Sequence, residues 1–301
     1  MLSSKEVVMQ YFDLHCDTLY KATACNSSFN DSNNHISVDK ANMFDNWKQM
    51  CAIWIPDDLR GYDATRLYND AVKVFSDVKI DNESVELFLA VENASMLAGN
   101  IDNIKLLVDN HVKYVTLTWN GENELGCGAM CSSPTGLTRF GRDVVTELNT
   151  HDISIDVSHA SDELFYDVVK HTRKPVIATH SNSRAVTDVK RNLTDEQFKI
   201  IRDMGGIVGL NFYKGFLNNI ETRASIDDIL RHAEHFLNLG GERTLAIGAD
   251  FDGADMPSDI DGIVTIPAIY QRFLGYFGAK LTKNIFFDNA NMYFTNFDNI
   301  S

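Results

Sequence analysis

In the stretch Phe12-Asp13-Leu14-His15-Cys16-Asp17, a histidine and an aspartate stand two residues apart at the end of an apolar run. Side chains alternate faces along a strand, so positions i and i+2 point the same way. An imidazole and a carboxylate are thereby offered to one spot. Divalent cations take nitrogen and oxygen ligands held rigidly, and a strand end can supply both. One such pair is weak on its own, because a solvated strand end carries the same residue types. The pattern recurs along the chain, however. The run Phe88-Leu89-Ala90-Val91 ends in Glu92, Ile153–Val157 in Ser158-His159, and Val176–Thr179 in His180. A last run leads into Ala249-Asp250-Phe251-Asp252-Gly253.

Each of these residues has a local alternative. Glu92 could open a helix at Asn93, and His159 could be a core histidine satisfied by backbone. His180 could cap the Ser181-Asn182-Ser183 turn, and Asp250–Gly253 could be a tight turn favoured by its Asp-Gly step. Taken together, three histidines and three carboxylates exceed the needs of one ion. A carboxylate bridging two ions would use them all and leave one aspartate as a proton shuttle. Two divalent ions about 3.5–4 Å apart around an activated water form a hydrolytic centre.

The elements that must position these residues are short runs rich in Val, Ile, Leu and aromatics, as strands buried on both faces are. They are expected near Val8–Leu14, Met50–Ile55, Leu87–Val91, Tyr114–Thr118, Ile153–Val157, Val176–Thr179, Gly206–Leu210 and Thr244–Gly248. Helical patterns lie between them, over Thr65–Ser76, Ile101–Asn110, Arg142–Thr150 and Asp162–Lys170. Thr194-Asp195-Glu196-Gln197 has the form of a capping box, and its helix stops at Gly205-Gly206. Ser225-Ile226-Asp227-Asp228 opens another helix, with an apolar stripe of Ile226, Ile229, Leu230, Ala233 and Leu237. Alternating strands and helices predict an α/β chain: a (β/α)8 TIM-like barrel forming one domain over 1–301, with a doubly wound sheet as the alternative. In barrels, residues at the C-terminal ends of the strands converge on one mouth.

The composition is that of an ordinary globular protein, 44% hydrophobic and 23% charged over 301 residues. A formal net charge of −15 argues against nucleic acid and anionic membrane surfaces as partners, since both need clustered Lys and Arg. Met1–Gln10 has no long apolar core, no run approaches a membrane span, and Asn296–Ser301 lacks a hydrophobic tail. The five cysteines (Cys16, Cys25, Cys51, Cys127, Cys131) form no framework, and free thiols are expected. Cys127-x-x-x-Cys131 could be half a zinc site but lacks a second pair nearby. A cytoplasmic protein fits best.

The residues resemble the membrane (renal) dipeptidase family from about Phe12 to about Gly253. The resemblance rests on Asp13–Asp17, Ala90-Val91-Glu92, Tyr114–Thr118, Gly136-Leu137-Thr138 with Gly141, and Ile155–His159. Thr179–Ser183, Arg191-Asn192, Gly209–Tyr213 and Gly248–Gly253 extend it. It implies a binuclear zinc peptidase, with His15 and Asp17 on one Zn2+, His159 and His180 on the other, and Glu92 bridging both. Asp250 matches the family's acid/base aspartate. Arg191 would hold the carboxylate of a dipeptide or the oxygens of the transition state. L,L-dipeptides and, by the family's tolerance, L,D-dipeptides would be substrates, and a homodimer is possible.

One departure stands out. Where the family's best-studied members have a substrate-contacting His, this chain has Trp119-Asn120. An indole N–H is a neutral donor, so Trp119 could pack on a substrate side chain and Asn120 could supply the missing hydrogen bond. The alternatives are another binuclear amidohydrolase acting on a non-dipeptide amide or ester, or a metal-binding homologue without turnover.

Overall fold

The computed structural model describes residues 9–298. Its eight strands are β1 (Gln10–Cys16), β2 (Asn46–Trp54), β3 (Val85–Glu92), β4 (Tyr114–Thr116), β5 (Ser154–Asp156), β6 (Val176–Ile177), β7 (Val208–Leu210) and β8 (Leu245–Ile247). They pair in the order β6-β5-β4-β3-β2-β1-β8-β7, all parallel. Just past β6, Ala178 bridges Val208 of β7, with Ala178 N–H donating to Ile207 O at 2.9 Å and Gly209 N–H to Ala178 O at 2.8 Å. Every strand therefore neighbours the one before and the one after it, which excludes the doubly wound alternative, whose order reverses at a switch point. The barrel is uneven. β2 and β3 pair from Trp47↔Val85 to Trp54↔Glu92, whereas β6 is two residues long.

Strand alternation sorts the apolar side chains into two layers. Phe12, Leu14, Met50, Ala90, Tyr114, Ile177, Ile207 and Ala246 fill the interior, and Phe287, Ala290, Tyr293 and Phe294 join the same cluster from the C-terminal segment. The opposite faces pack against the surrounding helices in a larger cluster that includes Trp47, Ile53, Val91, Val144, Phe198 and Phe236.

The expected helices are present, three of them longer than their periodicity showed, while Ile101–Asn110 is α-helical only over Ile104–Asp109 behind a 3-10 turn. Gly61–Ser76 starts earlier, and Arg139–Thr150 begins behind Thr138, whose Oγ1 accepts from Gly141 N–H at 2.9 Å. The expected capping box forms between Thr194 and Gln197, and Ser225, expected only to open a helix, forms a second with Asp228. Several helical regions had no sequence signal, among them Thr18–Ala24 and Ile266–Asp298. Thr18–Ala24, directly after the first candidate ligands, is too short to show a period. Ile266–Asp298 is interrupted by a π-turn at Asn284–Asp288, which breaks the 3.6-residue pattern. Val8, where the first strand was expected to start, lies outside the described residues, as do the rest of 1–8 and 299–301. Among the described residues, no helix is long and apolar enough to cross a membrane. All five cysteines are free, and no described group that could hold a metal includes a cysteine.

Candidate metal centre and mouth

The ligands of the first strand reach the mouth through an irregularity that simple alternation does not contain. β1 pairs with β2 as Asp13↔Gln49 and then Cys16↔Cys51, so a bulge lies between Asp13 and Cys16. Phe12 and Leu14 point into the barrel before it, while Cys16 joins the outer apolar layer after it. The bulge reverses the phase, so that His15 and Asp17 face inward at the top. Asp13 holds the bulge. Its Oδ1 accepts from His15 N–H at 3.2 Å and Ala249 N–H at 2.9 Å, and its Oδ2 accepts from the Tyr11 hydroxyl at 2.9 Å.

Glu92 is the last residue of β3. The chain turns away at Asn93 (φ 75°), whose Nδ2 donates to Ile55 O at 2.8 Å and whose Oδ1 accepts from Ser95 N–H at 3.2 Å. A short 3-10 helix follows, so Glu92 both ends a strand and faces the mouth. Asp250 and Asp252 are likewise left-handed, at φ 65° and 66°. Such backbone costs about 1 kcal/mol or more per residue and survives where surroundings impose it. Asp252 supplies that constraint, accepting from Thr18 Oγ1 (2.6 Å), Lys21 Nζ (2.9 Å) and His35 N–H (2.8 Å). At Gly253 a Cβ would stand 1.9 Å from Asp17 Oδ2, so only glycine lets that carboxylate in.

The candidate ligands converge. Glu92 Oε1 lies 2.7 Å from His159 Nε2 and 3.5 Å from His180 Nε2, while Oε2 lies 3.7 Å from His15 Nε2. His15 Nε2 is also 3.3 Å from Asp17 Oδ2 and 3.8 Å from Asp250 Oδ1. Two ligand groups result, His15–Asp17–Glu92 and Glu92–His159–His180, and Glu92 belongs to both. A third, His15–His180–Asp250, closes the ring.

Behind the ligands, every Nδ1 faces an oxygen. His15 Nδ1 is 3.0 Å from the Tyr114 hydroxyl, which itself donates to Leu14 O at 2.9 Å. His159 Nδ1 is 3.1 Å from Asn120 Oδ1, and His180 Nδ1 is 2.8 Å from Thr179 Oγ1, which donates to Asp156 Oδ2 at 2.8 Å. These partners fix a proton on Nδ1, so that in the neutral ring Nε2 is the nitrogen whose lone pair faces the mouth, the tautomer a metal requires. Tyr114, Thr179, Asp156, Asp13 and Asn211 were not assigned these roles from sequence. Their signal was present as polar residues inside the motifs, but partners behind a ligand appear only once strands are adjacent.

The electrostatics fit bound cations. Burial, with Asp17 close by, pushes the Glu92 carboxyl well above its usual range. Burial works against the charged form of His15, yet the Asp17, Glu92 and Asp250 carboxylates hold its pKa up at about 10. Burial, reinforced by Arg191 and His15, pushes His159 and His180 well down, so both are neutral donors. Asp17 Oδ1 is buried without a hydrogen-bond partner. The carboxylates that hold a proton on His15, the two neutral imidazoles and the orphaned Asp17 oxygen form a site that divalent ions would satisfy, displacing that proton.

Arg191 and Asp250 flank this centre. Arg191 is 5% exposed, its Nη1 donates to Ser158 O, and its guanidinium lies 5.1 Å over the Phe216 ring. Its Nε and Nη2 are buried and unpartnered, leaving donors for an incoming anion. Burial lowers its pKa to about 10, so it remains charged at neutral pH. Burial raises the Asp250 carboxyl, while Asn211 Nδ2 donates to its Oδ2 at 3.0 Å. The cavity above, about 540 Å³, is also lined by Trp119 and Asn120. Gly128 lets the Trp119 loop close, since a Cβ there would lie 2.0 Å from Trp119 O.

The chain was compared with known proteins. The membrane dipeptidase (peptidase family M19) model matches residues 70–291, a range that starts after His15 and Asp17. An uncharacterised protein of Klebsiella pneumoniae is 35% identical over 204 residues, covering 64% of this chain and 75% of that one. Dipeptidase 3 of Macaca fascicularis is 30% identical over 200 residues, 64% of this chain and 41% of its own length. The chain spans about half the length of two uncharacterised dipeptidases of Schizosaccharomyces pombe, each 29% identical. Among solved structures, a metallopeptidase of Rhodobacter sphaeroides bound to a phosphinate mimic of L-Ala-D-Ala superposes with TM-score 0.83 at 24% identity, over 97% of this chain and 99% of that one. A metallopeptidase described as dipeptidase AC gives 0.85 at 24% identity, over 97% and 98%. The chain belongs to the membrane dipeptidase family of peptide-bond hydrolases.

Proposed function

We propose that this chain is a zinc-dependent dipeptidase, with His15 and Asp17 serving one ion, His159 and His180 the other, and Glu92 both. The observation that carries this reading is Glu92, whose two oxygens face the two groups of imidazoles separately. Three imidazoles with carboxylates are a donor set suited to zinc. Divalent ions, when bound there, supply Lewis acidity that acidifies a water and polarises the peptide carbonyl.

The chain's own groups do the rest. Arg191 binds the C-terminal carboxylate through its two free donors, and its planar fork fixes the peptide's orientation. Asp250, oriented by Asn211, takes the proton of the attacking water and delivers it to the leaving amine. Its raised pKa suits it to hold a proton between those two steps. Trp119 stands where the family's substrate-contacting His would be, and Asn120 lies against His159. L,D-dipeptides belong to the proposed substrates beside L,L ones, since the Rhodobacter sphaeroides neighbour is bound to an L-Ala-D-Ala mimic. The free thiols support a cytoplasmic location, and the family resemblance supports a homodimer.

The test is hydrolysis of an L,L- and L,D-dipeptide panel by zinc-reconstituted protein. Turnover is expected, with Asp250→Asn lowering kcat by about 10²–10⁴-fold. No turnover on any dipeptide, with two ions bound, overturns the reading in favour of another amide or ester, or of a homologue without turnover.

A further inference from the structure

The mouth has two aromatic walls. The first is a row of rings after β1, β2 and β4. Tyr20 meets Trp54 edge-on at 4.6 Å, and Trp54 meets Trp119 at 4.8 Å and 64°. Trp119 then comes within 6.2 Å of the His159 ring. The second is the pair Tyr213–Phe216 after β7, at 4.8 Å and 88°, with the Arg191 guanidinium over Phe216. In the strand order around the barrel, β6 and β7 lie across from β2 and β3. The candidate metal ligands stand between the walls.

We propose that the Tyr20–Trp54–Trp119 row is the subsite for the side chain of a dipeptide's N-terminal residue, and that it selects large apolar and aromatic side chains. This rests on the dipeptidase reading. A peptide whose C-terminal carboxylate is held at Arg191 crosses the ligand cluster with its scissile bond. Its N-terminal residue is then delivered to the opposite wall. All three rings line the cavity and are only half-buried, whereas Trp47, the remaining tryptophan of the chain's three, is fully buried in the core. Edge-to-face rows offer both ring faces and edges to a further aromatic group.

Charge favours the same substrates. Asp250 and Asp255 line the cavity outside the proposed ligand set, so an acidic N-terminal side chain meets repulsion while the peptide's free amine is attracted. Trp119 adds its indole to the apolar surface of the first wall. The expected order is Phe and Leu first, then Ala and Gly, with Asp last.

The experiment compares kcat/KM for Phe-Ala, Leu-Ala, Gly-Ala and Asp-Ala on the zinc-loaded protein and on Trp54→Ala and Trp54→Phe. Wild type should favour Phe-Ala over Gly-Ala by roughly tenfold or more, a size typical of an apolar pocket's discrimination. Trp54→Ala should bring that ratio to within about threefold, and Trp54→Phe should retain most of it. A wild-type ratio near one, a preference for Gly-Ala or Asp-Ala, or a ratio untouched by Trp54→Ala overturns the subsite. If no dipeptide is hydrolysed, the dipeptidase reading fails separately. Tryptophan fluorescence then reports binding of the same Phe-Ala and Gly-Ala: tighter Phe-Ala binding that Trp54→Ala abolishes supports the subsite, and equal or absent binding overturns it.

Discussion

The two ends of the barrel are built from the same strands by opposite rules. At the lower end, Phe12, Leu14, Met50, Ala90 and Ala246 close on Phe287, Tyr293 and Phe294, with rings at 5.9–6.4 Å around Phe12. At the upper end, one or two residues further along β1 and β3 and three past the end of β8, stand His15, Glu92 and Asp250, with left-handed backbone at Asn93, Asp250 and Asp252. Within β1 the changeover occurs across one bulge, between Asp13 and Cys16. The lower end gains free energy by excluding water. The upper end gathers charges that oppose one another until cations arrive. Stability and chemistry are thus separated along the strand axis, and the two can be perturbed independently.

The sharpest way to break that separation is a pair of substitutions. Phe287→Ala should destabilise the fold by about 3–5 kcal/mol in denaturant unfolding while leaving kcat per folded molecule unchanged. Asp250→Asn should do the reverse, removing most turnover with little change in the unfolding midpoint. Equal effects of both on stability would show that the ends are not independent.

A smaller effect is expected with pH. His232 is buried beneath the mouth, its Nδ1 accepting from Ser183 N–H at 3.1 Å and its Nε2 donating to Leu217 O at 3.1 Å. Burial lowers its pKa to about 4. The unfolded state takes up a proton near pH 6.5 and the folded state only near 4, so this group's stabilisation is full above 6.5 and is lost as pH falls toward 4. The loss is on the order of 2–3 kcal/mol. His232→Gln should flatten the melting temperature across that window, and an equally steep decline in the variant would remove His232 as the cause.

Smaller still is the effect of a partner behind a ligand. Thr179→Val removes the hydroxyl that links His180 Nδ1 to Asp156. Zinc affinity measured by chelator competition should fall about 10–100-fold, as for other such partners. Unchanged affinity would mean that His180 is oriented by packing alone.

Much of this molecule was legible in the sequence. The eight strands showed because parallel strands buried on both faces read as apolar runs, and the five candidate ligands showed because each follows one. Other features were hidden for physical reasons. The bulge at His15 leaves no compositional trace, and alternation alone would have put Leu14 and Cys16 on one face. The plug of the lower end was missed because its helix carries a π-turn and aromatic residues on more than one side. Tyr20 and Trp54 were assigned no role from the sequence, and only the folding of the barrel brings them beside Trp119.

The most direct test of the central claim is metal stoichiometry. Metal-free protein titrated with zinc, with calorimetry and elemental analysis in parallel, should bind two ions per chain, and dipeptide turnover should rise with the second. Glu92→Ala should lose affinity at both sites together, since one carboxylate serves each group. A single site in the wild type, or a Glu92→Ala protein that binds two ions as tightly, would contradict the account.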